Sequence, residues 1–240
     1  VSQPGGRGTR IFFTFLVIVA VIVAGLYGVD RWAHNRAETM LQDKISSAAS
    51  FTNLDTSIAG FPFLTQVLND DLENVQITAD SLTTPAREGL EPVTITDLDV
   101  NLHGVNPNAP YRTRILDASA TLPFEVVERV VHDLGYEGVA VSGTDAGILA
   151  FSIEVFGFPI TASASIEVSE SGRGFIFNIE NADLGGAYSI DLGSVLPSAG
   201  TEIPINQLPE GVSITNARVT DQGVELTLHG TDLPLQELTY

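Results

Sequence analysis

One uninterrupted apolar run limits what this chain can be. Residues 11–29 read IFFTFLVIVAVIVAGLYGV, nineteen positions without a charge. As a helix rising about 1.5 Å per residue, the run extends roughly 28 Å, close to the hydrocarbon thickness of a bilayer. Arg7 and Arg10 precede it, and Asp30, Arg31 and Arg36 follow, so the positive-inside bias toward a cytoplasmic segment at residues 1–10 is modest. A cleaved signal peptide competes with a retained anchor. Its apolar core would be shorter and would end in a small-x-small site, whereas Ile22-Val23-Ala24 and Leu26-Tyr27-Gly28 place bulky residues where small ones are needed. The expectation is a transmembrane signal anchor over 11–29, single-pass in the plasma membrane, with the C-terminal part in an extracytoplasmic, periplasm-like space. Ala20, Ala24 and Gly28 recur at every fourth position, a spacing that lets another helix approach closely. Ala and Gly are also simply common in membrane helices.

Charge narrows the function of the remainder. The chain holds 11 Lys+Arg against 30 Asp+Glu, a formal net charge of −19. The first 36 residues contribute four arginines and one aspartate, leaving the rest near −22. Such a domain does not bind nucleic acid by neutralising phosphates, and anionic lipid surfaces repel it. Any lipid would be met through a defined opening. The absence of cysteine removes disulfides, thiol catalysis and zinc-thiolate sites. With 44% hydrophobic and 17% charged residues, general disorder is excluded.

Residues 30–50 continue as a membrane-proximal helix, with Ala33, Ala37, Met40, Leu41, Ile45 and Ala48 at helical spacing. From 51 to 240 the pattern is mainly that of strands, forming one extracytoplasmic domain. Val75, Ile77 and Ala79 alternate with polar partners, as do Leu98, Val100 and Leu102, with a slip near Asp97 that indicates a bulge. Short helices are expected to open after Pro62 and at Pro123. Strands over 148–156 and 160–168 flank Gly157-Phe158-Pro159, and a final hairpin crosses Asp221-Gln222-Gly223. Phe151, Phe156, Phe158, Phe175 and Phe177 crowd one region. A phenylalanine-rich core and a lipid-lined cavity fit that crowding equally well.

The segment Gly60-Phe61-Pro62-Phe63-Leu64-Thr65-Gln66, followed by Val75-Gln76-Ile77-Thr78-Ala79, resembles the LmeA family of actinobacterial phospholipid-binding envelope proteins. Thr96-Asp97-Leu98-Asp99-Val100, Ala120-Thr121-Leu122-Pro123-Phe124 and Leu208-Pro209-Glu210-Gly211-Val212 follow in the same order. The resemblance covers roughly residues 35–230. It implies a fold similar to tubular lipid-binding proteins, in which a curved sheet wraps a long helix and leaves an apolar groove. The expected class is therefore α+β: an N-terminal transmembrane helix plus a strongly curved antiparallel sheet around a long helix. The acidity of this chain departs from any family preference for an anionic headgroup.

Catalytic signatures are missing. His34, His103, His132 and His229 are isolated, without H-E-x-x-H spacing, and read as surface or capping residues rather than metal ligands. Ser142-Gly143-Thr144-Asp145 reads as a turn, not a nucleophile elbow. Asn69, Asp71 and Glu73 open like a calcium loop, but glycine is missing from its sixth place. The expectation is a non-enzymatic, membrane-anchored phospholipid-binding protein of the cell envelope, with no cofactor or metal, that holds or shuttles acyl chains. Phe61, Phe63, Leu64, Phe151, Phe158, Phe175 and Phe177 would line the groove. Arg112 and Arg114 would meet a phosphate at its rim, or belong to a solvated strand face. The alternative is an accessory subunit of an integral-membrane complex, respiratory or glycosyltransferase, that uses the fold for docking and Ala20, Ala24 and Gly28 for helix packing.

Overall fold

The computed structural model describes residues 7–47, 49–84, 92–133, 138–144, 147–155, 158–183, 202–205 and 208–235. The side chains of 7–17, 133, 153–155, 158–159, 179–183 and 203 lie outside the description. Expected strand residue Phe156 and most of the connection at 184–211 also fall outside it.

A helix, α1 (Arg7–Ser46), leads into β1 (Ser50–Thr52), β2 (Asp55–Ala59) and the short α2 (Phe63–Leu68). The long strands β3 (Leu72–Thr83), β4 (Thr94–Val105) and β5 (Arg112–Pro123) form a meander, closed by α3 (Phe124–Asp133). Next come β6 (Ala140–Gly143), β7 (Leu149–Val155), β8 (Phe158–Val168), β9 (Gly174–Asp183) and β10 (Glu202–Pro204). The hairpin β11 (Val212–Val219) and β12 (Gly223–Pro234) ends the order. Pro62 and Pro123 stand just before α2 and α3, positions that need no backbone N–H.

The strands divide into two antiparallel sheets. The first has the order β1-β3-β4-β5-β12-β11, with β2 also pairing β3; the second runs β10-β9-β8-β7-β6. Because side chains alternate between faces, strand register assigns the apolar face of the first sheet row by row. Val75, Leu102, Leu116, Gly230 and Val212 stand side by side across β3, β4, β5, β12 and β11. Ile77, Val100, Ala118, Leu228 and Ile214 form the next row. Beyond it come Ala79 and Leu98 on one side of the β4 bulge, and Ala120, Leu226 and Ala217 on the other. The bulge lies between Thr96 and Asp99, with Asp97 at φ 52°, where the break in alternation predicts it.

Two separate covers bury this face. Around Leu72, Val75, Leu102, Val105, Leu116 and Leu233, the cover is α1 (through Ala33, Ala37 and Leu41) together with α2. Around Val219, Val224 and Leu226, it is the second sheet and α3, which bring Val141, Leu149, Phe151, Phe175 and Phe124.

This arrangement corrects the expected class. The fold is mostly antiparallel sheet with helices at its margins, and among the described residues no curled sheet wraps a long helix. β6–β10 hydrogen-bond among themselves and form a second layer, so they do the covering that a wrapped helix would otherwise do. Nor, among the described residues, is any helix long and apolar enough to cross a membrane. The expected anchor over 11–29 is corrected accordingly: α1 continues past Val29 without a break to Ser46, with Asp30, Arg31 and Arg36 on it.

Candidate functional site

The Gly60–Gln66 motif is a joint between α1 and the first sheet. Asp30, His34, Glu38 and Gln42 recur every fourth residue on α1, so they share one face of the helix. The buried Asp30 carboxylate accepts the backbone N–H groups of Phe63 at 3.1 Å and Leu64 at 2.7 Å. A charged acceptor there satisfies two donors that the first turn of α2 would otherwise leave bare. His34 Nε2–H donates to the Ile58 carbonyl at 2.6 Å, and its ring meets Phe63 edge-on at 5.4 Å. Glu38 accepts the Ile58 N–H at 3.0 Å, and Gln42 donates to the Leu54 carbonyl at 2.7 Å. Of the surface or capping role expected, the surface part does not hold: His34 is a buried tether whose ring bonds a backbone carbonyl. The four-residue polar spacing was the signal for this ladder, but its partners lie up to 34 residues away.

The expected lipid-lining residues fall in two places. Phe63 is buried and Leu64 half-buried in the cover formed by α1 and α2. Phe61 is 67% exposed, with its ring 5.7 Å from that of Tyr27. Phe151, Phe175 and Phe177 are half-buried in the core of the second sheet, where Phe151 meets Phe177 edge-on at 6.4 Å. The side chain of Phe158 lies outside the described residues. The two groups belong to separate clusters.

Between these clusters runs a strip that sequence reasoning did not single out. Ile77, Val100, Ala118 and Leu228 are half-buried and pack against the first cluster, Leu228 packs against the second as well, and Ala79, Leu98 and Ala120 belong to neither. Strands lie about 4.8 Å apart, so the three gaps between the four strands carry the row roughly 14 Å across the sheet. Its signal was the alternation that puts Ile77, Val100 and Leu228 on the apolar face with the small Ala118 among them.

The charged side chains near the sheet are largely matched internally. Arg112 pairs with Asp232 at 3.0 Å, Arg114 with Asp71 at 3.0 Å, and His229 with Asp117 at 2.8 Å. Arg218 hydrogen-bonds and pairs with Glu225, which holds its guanidinium above the ordinary arginine value. Arg112 and Arg114 therefore reach the surface already neutralised. Ala20, Ala24 and Gly28 lie on the exposed part of α1, and a side chain added at Gly28 would meet open space.

A pocket of about 220 Å³ opens beside α2, lined by Phe61, Pro62, Gln66, Asn69, Asp71 and Glu73 among others. It is smaller than the roughly 300–1,000 Å³ typical of sites for drug-sized ligands, and its polar lining does not suit acyl chains.

The LmeA-like phospholipid-binding family model matches residues 28–229. The chain belongs to that family. The match spans both sheets and the polar ladder of α1, from Asp30 onward, and it supports lipid binding as the family's shared property. No curated protein and no solved structure matches the chain.

Proposed function

We propose that this LmeA-like protein holds phospholipid without catalysing its conversion, on the outer side of the plasma membrane. Acyl chains would lie along the half-buried row Ile77–Val100–Ala118–Leu228, where the two covers of the first sheet meet. The observation that carries this reading is that row: contiguous, half-buried apolar side chains across four strands, with the small Ala118 among them. Each methylene laid there gains about 0.8 kcal/mol, so an acyl chain recovers enough to leave the bilayer only if many methylenes are covered. The exposed apolar run of α1, including Val21, Ile22, Val23 and Leu26, would keep the domain at the membrane surface. The domain's own negative charge then favours a stand-off from anionic headgroups.

The test is the 240-residue chain purified in mild detergent, with bound lipid extracted and weighed by mass spectrometry. Phospholipid should co-purify at a fixed ratio, and Ala118→Phe, which fills the row, should lower that ratio at least several-fold. Lipid-free wild-type protein would overturn the reading. So would an Ala118→Phe protein that stays folded by circular dichroism and keeps its full lipid load.

A second reading rests on the same exposed face of α1. The domain would be an accessory subunit docked on an integral-membrane complex, with Ala20, Ala24 and Gly28 against a partner helix. Co-migration with one complex at constant stoichiometry, lost in Ala24→Leu, would favour it.

A further inference from the structure

Only one face of α2 is turned toward the sheet. Phe63 and Gln66 are buried, whereas Phe61, Pro62, Thr65 and Leu68 are exposed, at the three-to-four-residue spacing of a single helix face. Leu68, at 84%, is the most exposed large apolar side chain among the described residues, and Phe61 stands at 67%. This outward face continues onto α1. The Phe61 ring meets that of Tyr27, itself exposed, and Tyr27 lies three residues before Asp30 on the same side of α1. Val23 and Leu26, both exposed, extend that side further. Asp30 pins the Phe63 and Leu64 amides, so Phe61 and Leu68 are held in a set orientation beside α1.

Apolar side chains clustered in water mark a surface that something else covers. The phospholipid binding shared by the family requires lipid to pass between a bilayer and this domain. Charge narrows the choice of surface. The outward face of α2 has no charged side chain, while Asp70, Asp71 and Glu73 follow it in the chain, and the Asp71 carboxylate is already paired with Arg114. An acidic border opposes an anionic surface and suits headgroups that end in an ammonium. Tyrosine beside an apolar helix surface matches the headgroup zone, where amphipathic rings settle. From the juxtaposition of Leu68, Phe61 and Tyr27, we propose that the outward face of α2 is where the domain rests on a zwitterionic phospholipid surface. The inference builds on the lipid-holding role proposed above and adds the point of contact with the bilayer.

The chain has no cysteine, so a single reporter is straightforward. Leu68→Cys and, as reference, Val130→Cys on α3, also exposed and apolar, are each labelled with an environment-sensitive dye. The 240-residue proteins are transferred from mild detergent onto phosphatidylcholine vesicles containing a spin-labelled phospholipid. The Leu68 dye should shift to shorter wavelength and be quenched several-fold more than the Val130 dye. Replacing part of the phosphatidylcholine by phosphatidylglycerol at low salt should reduce that quenching. Equal quenching at the two positions would overturn the contact. So would a blue shift at Leu68 without quenching, which would mean that protein, a second copy or another chain, covers the face. Stronger quenching with phosphatidylglycerol would overturn the zwitterionic surface. Bound phospholipid measured on the same preparations separates the two proposals. Lipid-free protein with a quenched Leu68 dye keeps the contact and removes the lipid-holding role; lipid-loaded protein with an unquenched dye does the reverse.

Discussion

The first sheet is covered at its two ends by different chemistry. At the end capped by α1 and α2, α1 brings Ala33, Ala37 and Leu41, α2 brings Phe63, Leu64 and Val67, and the polar ladder Asp30–His34–Glu38–Gln42 sets the fit. At the other end, phenylalanine and aliphatic side chains from the second sheet meet Val219, Val224 and Leu226. Directional hydrogen bonds position an element, whereas bulk burial stabilises without specifying a single orientation. The α1–α2 end is therefore positioned by directional bonds as well as by burial, and the second-sheet end by burial.

Substitutions can break that contrast. The largest effect is expected from Leu149→Ala. Leu149 is completely buried in the second-sheet cluster, and removing a buried leucine typically costs about 2–5 kcal/mol. Urea unfolding should show the whole transition moving to lower denaturant. A loss confined to the second sheet would mean that the two covers unfold separately. Asp30→Ala comes next, at about 1–3 kcal/mol for two N–H groups stripped of a buried acceptor. Here hydrogen exchange should quicken at the Phe63 and Leu64 amides before the rest of the molecule responds, and Asp30→Asn should restore part of the protection. Equal quickening throughout would remove the distinction between positioning and bulk burial. The smallest effect belongs to Arg112→Gln. Its pair with Asp232 is well exposed, so unfolding should shift by at most about 1 kcal/mol, less at high salt. A larger loss would show that ion pairs at the sheet's end hold the fold.

Much of the local structure was legible beforehand. Alternation located β3, β4 and the bulge at Asp97, and the prolines placed α2 and α3. The hairpin at 221–223 was found too, although β12 runs on to Pro234, past Gly230 and Asp232, which break the pattern. The candidate site was less legible. Phe61, Phe63 and Phe151 look alike as phenylalanines, yet one is exposed, one is buried beneath α1 and one packs in the second sheet. Arg112 looked free to meet a phosphate because its partner, Asp232, is 120 residues away.

Periodicity, proline placement and the acidic composition, all local properties, determined the strands, the short helices and the exclusion of phosphate-driven binding. The division into two sheets, the cover over each part of the apolar face, and the seating of the Asp30 carboxylate on the Phe63 and Leu64 amides were decided only in three dimensions. Period-two alternation says that a side of a strand is buried but not by what. That choice depends on pairings such as β5 with β12, whose free energy comes from groups far apart in the chain.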